Sequence, residues 1–152
     1  MGTATRTMAA EVLVLGGGMS GLCAALAAAE HGARVLVLEK GTRFGGSMYL
    51  SNGIVWSFVR SDDVRARLRS GNVALQDLVV EQLHSGLEWL VSHGVDLLPE
   101  QRYFGYGHGR PASGPQMTSA LVDAIRSRGG ELVAGVALHT LRANDGELSD
   151  VL

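Results

Sequence analysis

Four consecutive apolar residues, Val12 to Leu15, open the ordered pattern of this chain, and an unbroken apolar run of that length predicts a strand buried on both faces of a parallel sheet. An Ala-rich segment, Leu22 to Glu30, predicts a helix that stops at Gly32, and Arg34 to Leu38 repeats the short apolar run of a second strand. Met8 to Lys40 therefore reads as one βαβ unit. Further on, Leu75, Leu78, Val79, Leu83, Leu87 and Leu90 fall at helical spacing, so 73–93 is expected to be an amphipathic helix, closed by Gly94 and packed along that stripe. Gly114 and Pro115 start another helix whose Met117, Leu121 and Ile125 share a face, and Gly129-Gly130 end it. Glu131 to Ala137 follows as a third parallel strand beside the second. Leu138 to Arg142 and Glu147 to Leu152, joined through Asn144-Asp145-Gly146, then read as an antiparallel hairpin. The class is α/β, with Trp56 and Trp89 expected in the core or at an interface.

The turn inside the βαβ unit carries the first chemistry. Its sequence, GGGMSG, places Gly16, Gly18 and Gly21 in the spacing G-x-G-x-x-G, directly after a strand and at the start of a helix. Gly16 allows the tight turn, Gly18 has no Cβ to obstruct a pyrophosphate, and Gly21 lets the helix lie close to the sheet. A phosphate there meets the free N–H groups and the positive end of a helix, so no lysine is required. Glu39 ends the second strand, with seventeen residues between it and Gly21, close to the spacing of about 20 expected for the carboxylate that binds ribose hydroxyls. A negative charge at that point disfavours a 2′-phosphate.

Composition narrows the partners. The 152 residues are 46% apolar and 18% charged, ordinary for one globular domain, and the net charge of -2 offers no footprint for nucleic acid. Cys23 is the single cysteine, which excludes a disulfide within the chain and leaves no zinc-type cluster. No apolar run approaches the roughly 20 residues of a membrane-spanning helix, and MGTATRTMAA lacks a signal-peptide core; a cytoplasmic location is the expectation.

After Glu39 the chain does not return as a helix but runs through GTRFGGSMYLSNGIVWSF. Gly45, Gly46, Ser47, Ser51 and Gly53 can follow an extended ligand from ribose past pyrophosphate to a ring system, which suits FAD better than NAD. The segments VLGGGMSGLCAALAAAEHGARVLVLEK, GGSMYLSNGIVW, LEWLVSHGV and GGELVAGVALHTLRANDGEL together resemble the N-terminal part of the fumarate reductase and succinate dehydrogenase flavoprotein superfamily, nearest its 3-ketosteroid dehydrogenase-like members. That resemblance implies a Rossmann-like FAD-binding domain of the glutathione-reductase type, three-layered (ββα) and incomplete at its C-terminus. It implies that Gly16, Gly18, Met19, Ser20, Glu39 and Lys40 hold the ADP half of FAD. It further implies that Gly46, Ser47, Met48, Ser51, Asn52 and Gly53 wrap the pyrophosphate and flavin, with the Leu138 backbone near the adenine. Asn52 stands where the family mostly has Gly, and Met48 and Tyr49 replace smaller residues. Gly46 occupies the position of the histidine that carries covalent flavin in some members, so non-covalent FAD is implied.

Other polar groups are assigned more modestly. QRYFGYGHGRPASGP gathers Tyr103, Tyr106, His108 and Arg110 among glycines; Arg110 could clamp an anion and His108 or a tyrosine move a proton, but a plain surface loop is the favoured reading. His31 and His93 precede glycines at helix ends, where positive charge is favoured. His84 and His139 receive no role, and SDDVRARLRS reads as a solvated segment of mixed charge.

The first strand lacks a second neighbour: in the order 3-2-1 its outer edge stays open. The expectation is therefore an N-terminal fragment of a flavoenzyme, a truncated frame or one piece of a split protein, without the capping and substrate domain. The expected function is hydride transfer between flavin N5 and a small-molecule substrate, at a C–C bond beside a carbonyl or an activated alkene, with catalytic acid and base unassigned. A second polypeptide is a candidate partner. An NAD-linked dehydrogenase fragment and a non-catalytic nucleotide-binding or interaction module are the alternatives.

Overall fold

The computed structural model describes residues 8–144 and 147–151. Along the chain run β1 (Val12–Leu15), α1 (Met19–Glu30), β2 (Val35–Glu39), α2 (Gly46–Leu50), β3 (Val55–Phe58), α3 (Ser61–Arg67) and α4 (Val73–Ser92). Then follow β4 (Gln101–Tyr103), β5 (Gly107–Arg110), α5 (Gly114–Ser127), β6 (Glu131–Ala134), β7 (Leu141–Asn144) and β8 (Glu147–Val151). They form two compact units, one ending at Gly46 and resuming at Leu121, the other spanning Ser47–Ala120.

The first unit is a parallel sheet in the order β1-β2-β6, the topology expected from the sequence. Val12 pairs with Val35 and Leu15 with Leu38; Leu36 pairs with Glu131 and Glu39 with Ala134. Helix α1 packs on β1 and β2 through Leu22, Ala25, Leu26 and Ala29, all buried. Leu121 and Ile125 of α5 are fully buried in the same unit. Burial of a large aliphatic side chain contributes about 1.5–3 kcal/mol, so Leu22, Leu26, Val37, Leu121 and Ile125 supply the core that holds the βαβ unit in register. β6 stops three residues earlier than expected. Gly135 takes φ +78°, its N–H donates to Gly41 O (2.8 Å), and Val136 N–H donates to Glu39 O (3.0 Å), which bends the chain off the sheet. The hairpin accordingly begins at Leu141 rather than Leu138; its turn residues 145–146, and Leu152, lie outside the described residues. No strand lies on the outer edge of β1 among the described residues.

Helices α1, α4 and α5 end alike. At α1, Ala33 N–H bonds to Ala28 O (3.2 Å) and Gly32 N–H to Ala29 O (3.0 Å), with Gly32 left-handed at φ +82°. Gly94 and Gly129 do the same for α4 and α5. His31 and His93 each place Nδ1 on the carbonyl four residues back, Ala27 O at 2.8 Å and Trp89 O at 2.6 Å, as expected for rings at a helix C-terminus.

The second unit departs further from expectation. A three-stranded antiparallel sheet, β3-β5-β4, occupies the segment read as a loop. Its glycines are packing residues: a Cβ on Gly107 would lie 2.9 Å from the Trp56 ring, and one on Gly109 would lie 2.3 Å from Val55 O. Trp56 is thus no core residue; its ring covers the glycine strand and contacts Phe58, Tyr103 and Phe104. The first seven residues of SDDVRARLRS form α3, with Arg65 bonded to both Asp77 oxygens. Asn72 caps α4, accepting Leu75 N–H at 3.1 Å. The expected stripe packs over only its later half: Leu87 and Leu90 are buried, whereas Leu75, Leu78 and Val79 are half or more exposed.

Candidate functional site

At the carboxyl ends of β1 and β2 the sequence motif becomes a shape. Gly16 turns at φ +103° with its N–H donated to Leu38 O (2.8 Å), and α1 starts from Gly18, whose backbone is extended and offers no side-chain cap. The first N–H groups of α1, from Met19, Ser20 and Gly21, therefore meet no capping side chain, the arrangement that receives an anion. The glycines have different reasons to be glycine. A Cβ on Gly21 would stand 1.9 Å from Gly16 O, so the helix could not lie where it does. A Cβ on Gly18 would meet nothing within 4 Å, and φ there is an ordinary -78°. No protein atom within 4 Å demands glycine at 18, so the space beside it is open to a ligand.

Glu39 is prepared rather than free. Its Oε1 accepts Gly41 N–H (2.6 Å) and its Oε2 accepts Gly17 N–H (2.7 Å), leaving each oxygen a further lone pair. These two bonds, Gly41's first, hold its pKa below the usual carboxylate range against partial burial, with a lesser contribution from the Lys40 charge. Loop 41–46 lies along the fingerprint turn: Gly45 N–H donates to Gly17 O (2.7 Å), Gly45 and Gly18 form a parallel bridge, and α2 starts at Gly46, whose φ is +52°.

Beside these groups an open cleft of about 340 Å3 is lined by Leu15, Gly16, Leu38, Glu39, Lys40 and residues 136–138. Leu15 (44% exposed), Val136 (38%) and Leu138 (38%) give it an apolar wall on the protein surface. Taken in order, the cleft and the turn beside it offer an apolar wall, a carboxylate and an uncapped helix start, groups suited to a flat apolar ring, a ribose and two phosphates. The residues fit the ADP half of a dinucleotide.

Gly16, Gly18, Met19, Ser20, Gly21, Glu39, Lys40, Gly45, Gly46 and Leu138 thus come together in one unit. Ser47, Met48, Ser51, Asn52 and Gly53 belong to the other unit, where several have internal duties. Met48 is buried; Ser51 Oγ donates to Met48 O (2.9 Å) and accepts Gly53 N–H (3.0 Å). A Cβ on Gly53 would lie 2.0 Å from Ala112 O, whose own N–H donates to Gly53 O. Ser47, Ser51 and Asn52 are exposed, and of these Ser51 has its hydroxyl engaged within the turn. The sequence reading missed Gly17, Gly41, Leu15 and Val136. The signal for the first two was their place directly beside Gly18 and Lys40.

The polar cluster 101–115 does not form an anion clamp. Arg110 spends Nε and Nη2 on the carbonyls of Leu98 (2.8 Å) and Leu97 (2.6 Å). His108 Nδ1 faces Glu100 at 3.3 Å, and Tyr106 lies under the Arg67 guanidinium at 3.6 Å. Burial pushes the Cys23 thiol up to about 11, so it carries no nucleophile. No group of three metal-ligating side chains occurs among the described residues, and none of their helices is long and apolar enough to cross a membrane.

Parallel β1-β2-β6 topology, a glycine turn opening α1 and a carboxylate at the end of β2 define a Rossmann-like dinucleotide-binding fold. The sequence model of the FAD binding domain matches residues 11–151, and the chain belongs to that family. It is 28% identical over 144 residues to a probable fumarate reductase of Shewanella frigidimarina, covering 78% of this chain and 24% of that protein. Among solved structures, the open conformation of a flavocytochrome c3 fumarate reductase matches with a TM-score of 0.75 and 26% identity, over 90% of this chain and 28% of that one. The 3-ketosteroid-Δ4-(5α)-dehydrogenase of Rhodococcus jostii, solved with 4-androstene-3,17-dione, shares the fold with a TM-score of 0.68 at 19% identity, over 90% of this chain and 40% of that one. The chain thus spans about a quarter of the length of the fumarate reductase relative.

Proposed function

We propose that this chain supplies the ADP-binding part of an FAD-dependent oxidoreductase, in which FAD is held non-covalently. The observation that carries the reading is Gly18: an unstrained, unobstructed glycine beside an uncapped helix start, with Glu39 already oriented by two backbone donors. Gly16, Gly18 and Gly21 admit the pyrophosphate, the first N–H groups of α1 at Met19 and Ser20 bind it, and Gly45 and Gly46 flank it. Glu39 accepts the ribose hydroxyls and Lys40 neighbours them; Leu15 and Leu138 hold the adenine. Ser47, Met48, Ser51, Asn52 and Gly53 are proposed to follow the ligand towards the flavin, through backbone groups and the side chains of Ser47 and Asn52. Bound FAD supplies hydride exchange with a substrate carbon, at a bond beside a carbonyl or at an activated alkene. The fumarate reductase and ketosteroid dehydrogenase likenesses support that class.

The capping and substrate domain, and the catalytic acid and base, are proposed to lie in polypeptide other than residues 1–152, in cis or as a second chain. The open edge of β1 and the exposed Leu75, Leu78 and Val79 support this. A cytoplasmic location goes with the reading. The test is direct: dilute chain titrated with FAD and, separately, with NAD, followed by flavin fluorescence and by calorimetry. FAD binding with much weaker NAD binding is expected; the reverse order would favour an NAD-linked enzyme, and binding of neither would sink the reading.

A further inference from the structure

Gly17 is glycine for a reason that neither its backbone nor a ligand supplies. It is absent from the positive-φ positions, yet a Cβ built on it would lie 2.4 Å from Phe44 Cδ1 and 3.3 Å from Cε1. The Phe44 ring fills the space any side chain at 17 would need. The other sides of Gly17 are gripped as well: its N–H by Glu39 Oε2, its carbonyl by Gly45 N–H (2.7 Å). Phe44 is the one large apolar residue of loop 41–46, a half-buried ring in a segment with three glycines. That loop also delivers Gly41 N–H to Glu39 Oε1.

The geometry points to Phe44 as a positioning residue for the nucleotide: its ring, seated on Gly17, pins the glycine-rich loop to the fingerprint turn and so keeps Glu39 between its two backbone donors. The inference rests on the FAD reading and adds to it a residue that touches no ligand. A glycine-rich loop has many conformations to lose, and an apolar anchor offsets that loss. Without the ring, the loop samples arrangements in which Glu39 lacks one donor, and apparent affinity falls in proportion to the time spent there.

The test is a double-mutant cycle in the full chain, with ADP as probe and calorimetry as readout. Phe44→Ala is expected to weaken ADP and FAD about 10-fold alike, corresponding to a competent loop about a tenth of the time, and Phe44→Leu to recover most of that loss. Gly17→Ala is expected to weaken ADP at least about 10-fold when Phe44 is present, but less than about 2-fold when added to Phe44→Ala, because the obstructing ring is gone. Urea unfolding accompanies each variant. A Gly17→Ala chain that unfolds but regains its transition in the double variant also supports the coupling. Additive losses, unfolding of both Gly17→Ala and the double variant, or loss of the urea transition in Phe44→Ala would overturn it, the last by making Phe44 an ordinary core residue. If the unaltered chain binds neither ADP nor FAD, the FAD reading itself has failed; if it binds both and the losses are additive, only the role of Phe44 has.

Discussion

Replacing Gly18 and Gly21 by alanine separates what the fold needs from what the ligand needs. At Gly21 the new Cβ would stand 1.9 Å from Gly16 O, a distance real Cβ atoms do not reach, so α1 must retreat from β1 by roughly 1 Å or more. Overpacking of a tight contact costs about 1–3 kcal/mol, and a main-chain oxygen cannot swing aside, which places Gly21→Ala at the upper end. Alanine gains about 1 kcal/mol of helix propensity over glycine, so a net loss of about 1–2 kcal/mol remains. At Gly18 the new Cβ meets no protein atom and φ is already suitable for alanine. The expected stability change there is within about 1 kcal/mol, the scale of an N-cap replacement. Binding inverts the order: Gly18→Ala should weaken FAD and ADP at least about 10-fold, since a methyl group occupies the space of a phosphate or an ordered water on it. Urea midpoints and calorimetric titration of the same samples read both quantities. Gly18→Ala with unchanged nucleotide affinity, or Gly21→Ala with unchanged stability, would refute the division of roles.

Glu39→Ala should weaken FAD by about 10- to 100-fold, the equivalent of about 1.5–3 kcal/mol for a hydrogen bond to a charged group, and Glu39→Gln by less; equal affinity for wild type and Glu39→Ala would remove Glu39 from the ribose. Because the folded pKa of Glu39 is lowered, its contribution to stability is fully present above the ordinary carboxylate pKa of about 4.3 and is lost as pH falls through the folded value. The acid side of the urea-midpoint profile should therefore flatten in Glu39→Gln; an unchanged profile would contradict the assignment. Acid precipitation of the FAD-loaded chain should release all flavin to the supernatant, because no histidine lies in residues 45–53, and yellow precipitate would overturn non-covalent attachment. Substrate-dependent flavin reduction should be absent from this chain alone, and stopped-flow absorbance showing turnover would place the catalytic acid and base within it.

How far the sequence could be read depended on how local each signal was. The βαβ unit was legible because its three glycines, the apolar runs on either side and Glu39 each act over a turn or a strand. The observed register sets Val14, the one buried residue of β1, beside the buried Val37, although Leu15 is exposed and β1 is not covered on both faces as its apolar run predicts. The β3-β5-β4 sheet was not legible. GYGHGR alternates glycine where a β-former is expected, and the reason for Gly107 and Gly109 lies in β3, where the Trp56 ring takes the space of a side chain at 107 and the Val55 carbonyl and Trp56 Cα and Cβ that of one at 109. Its turn is Phe104-Gly105, with Phe104 at φ +54° where Asn is the usual signal. The α4 stripe misled in the opposite sense: periodicity reports an apolar face, not what covers it, and Leu75 and Val79 remain on the surface while Leu87 and Leu90 are buried. In the site, side-chain roles were visible and backbone roles were not. Gly17 and Gly41 act through N–H groups that every residue type except proline carries, and only the geometry selects them.

The central claim is that the ADP half of FAD lies across the ends of β1 and β2, and amide chemical-shift mapping of the labelled chain tests it most directly. Titration with ADP should perturb Gly16 to Gly21, Glu39 to Gly41, Gly45 and Leu138, leave β4, β5 and α4 unmoved, and be reproduced at the same amides by FAD. Perturbations absent from Gly17, Gly18 and Gly41, or centred instead on residues 84–110, would contradict the account.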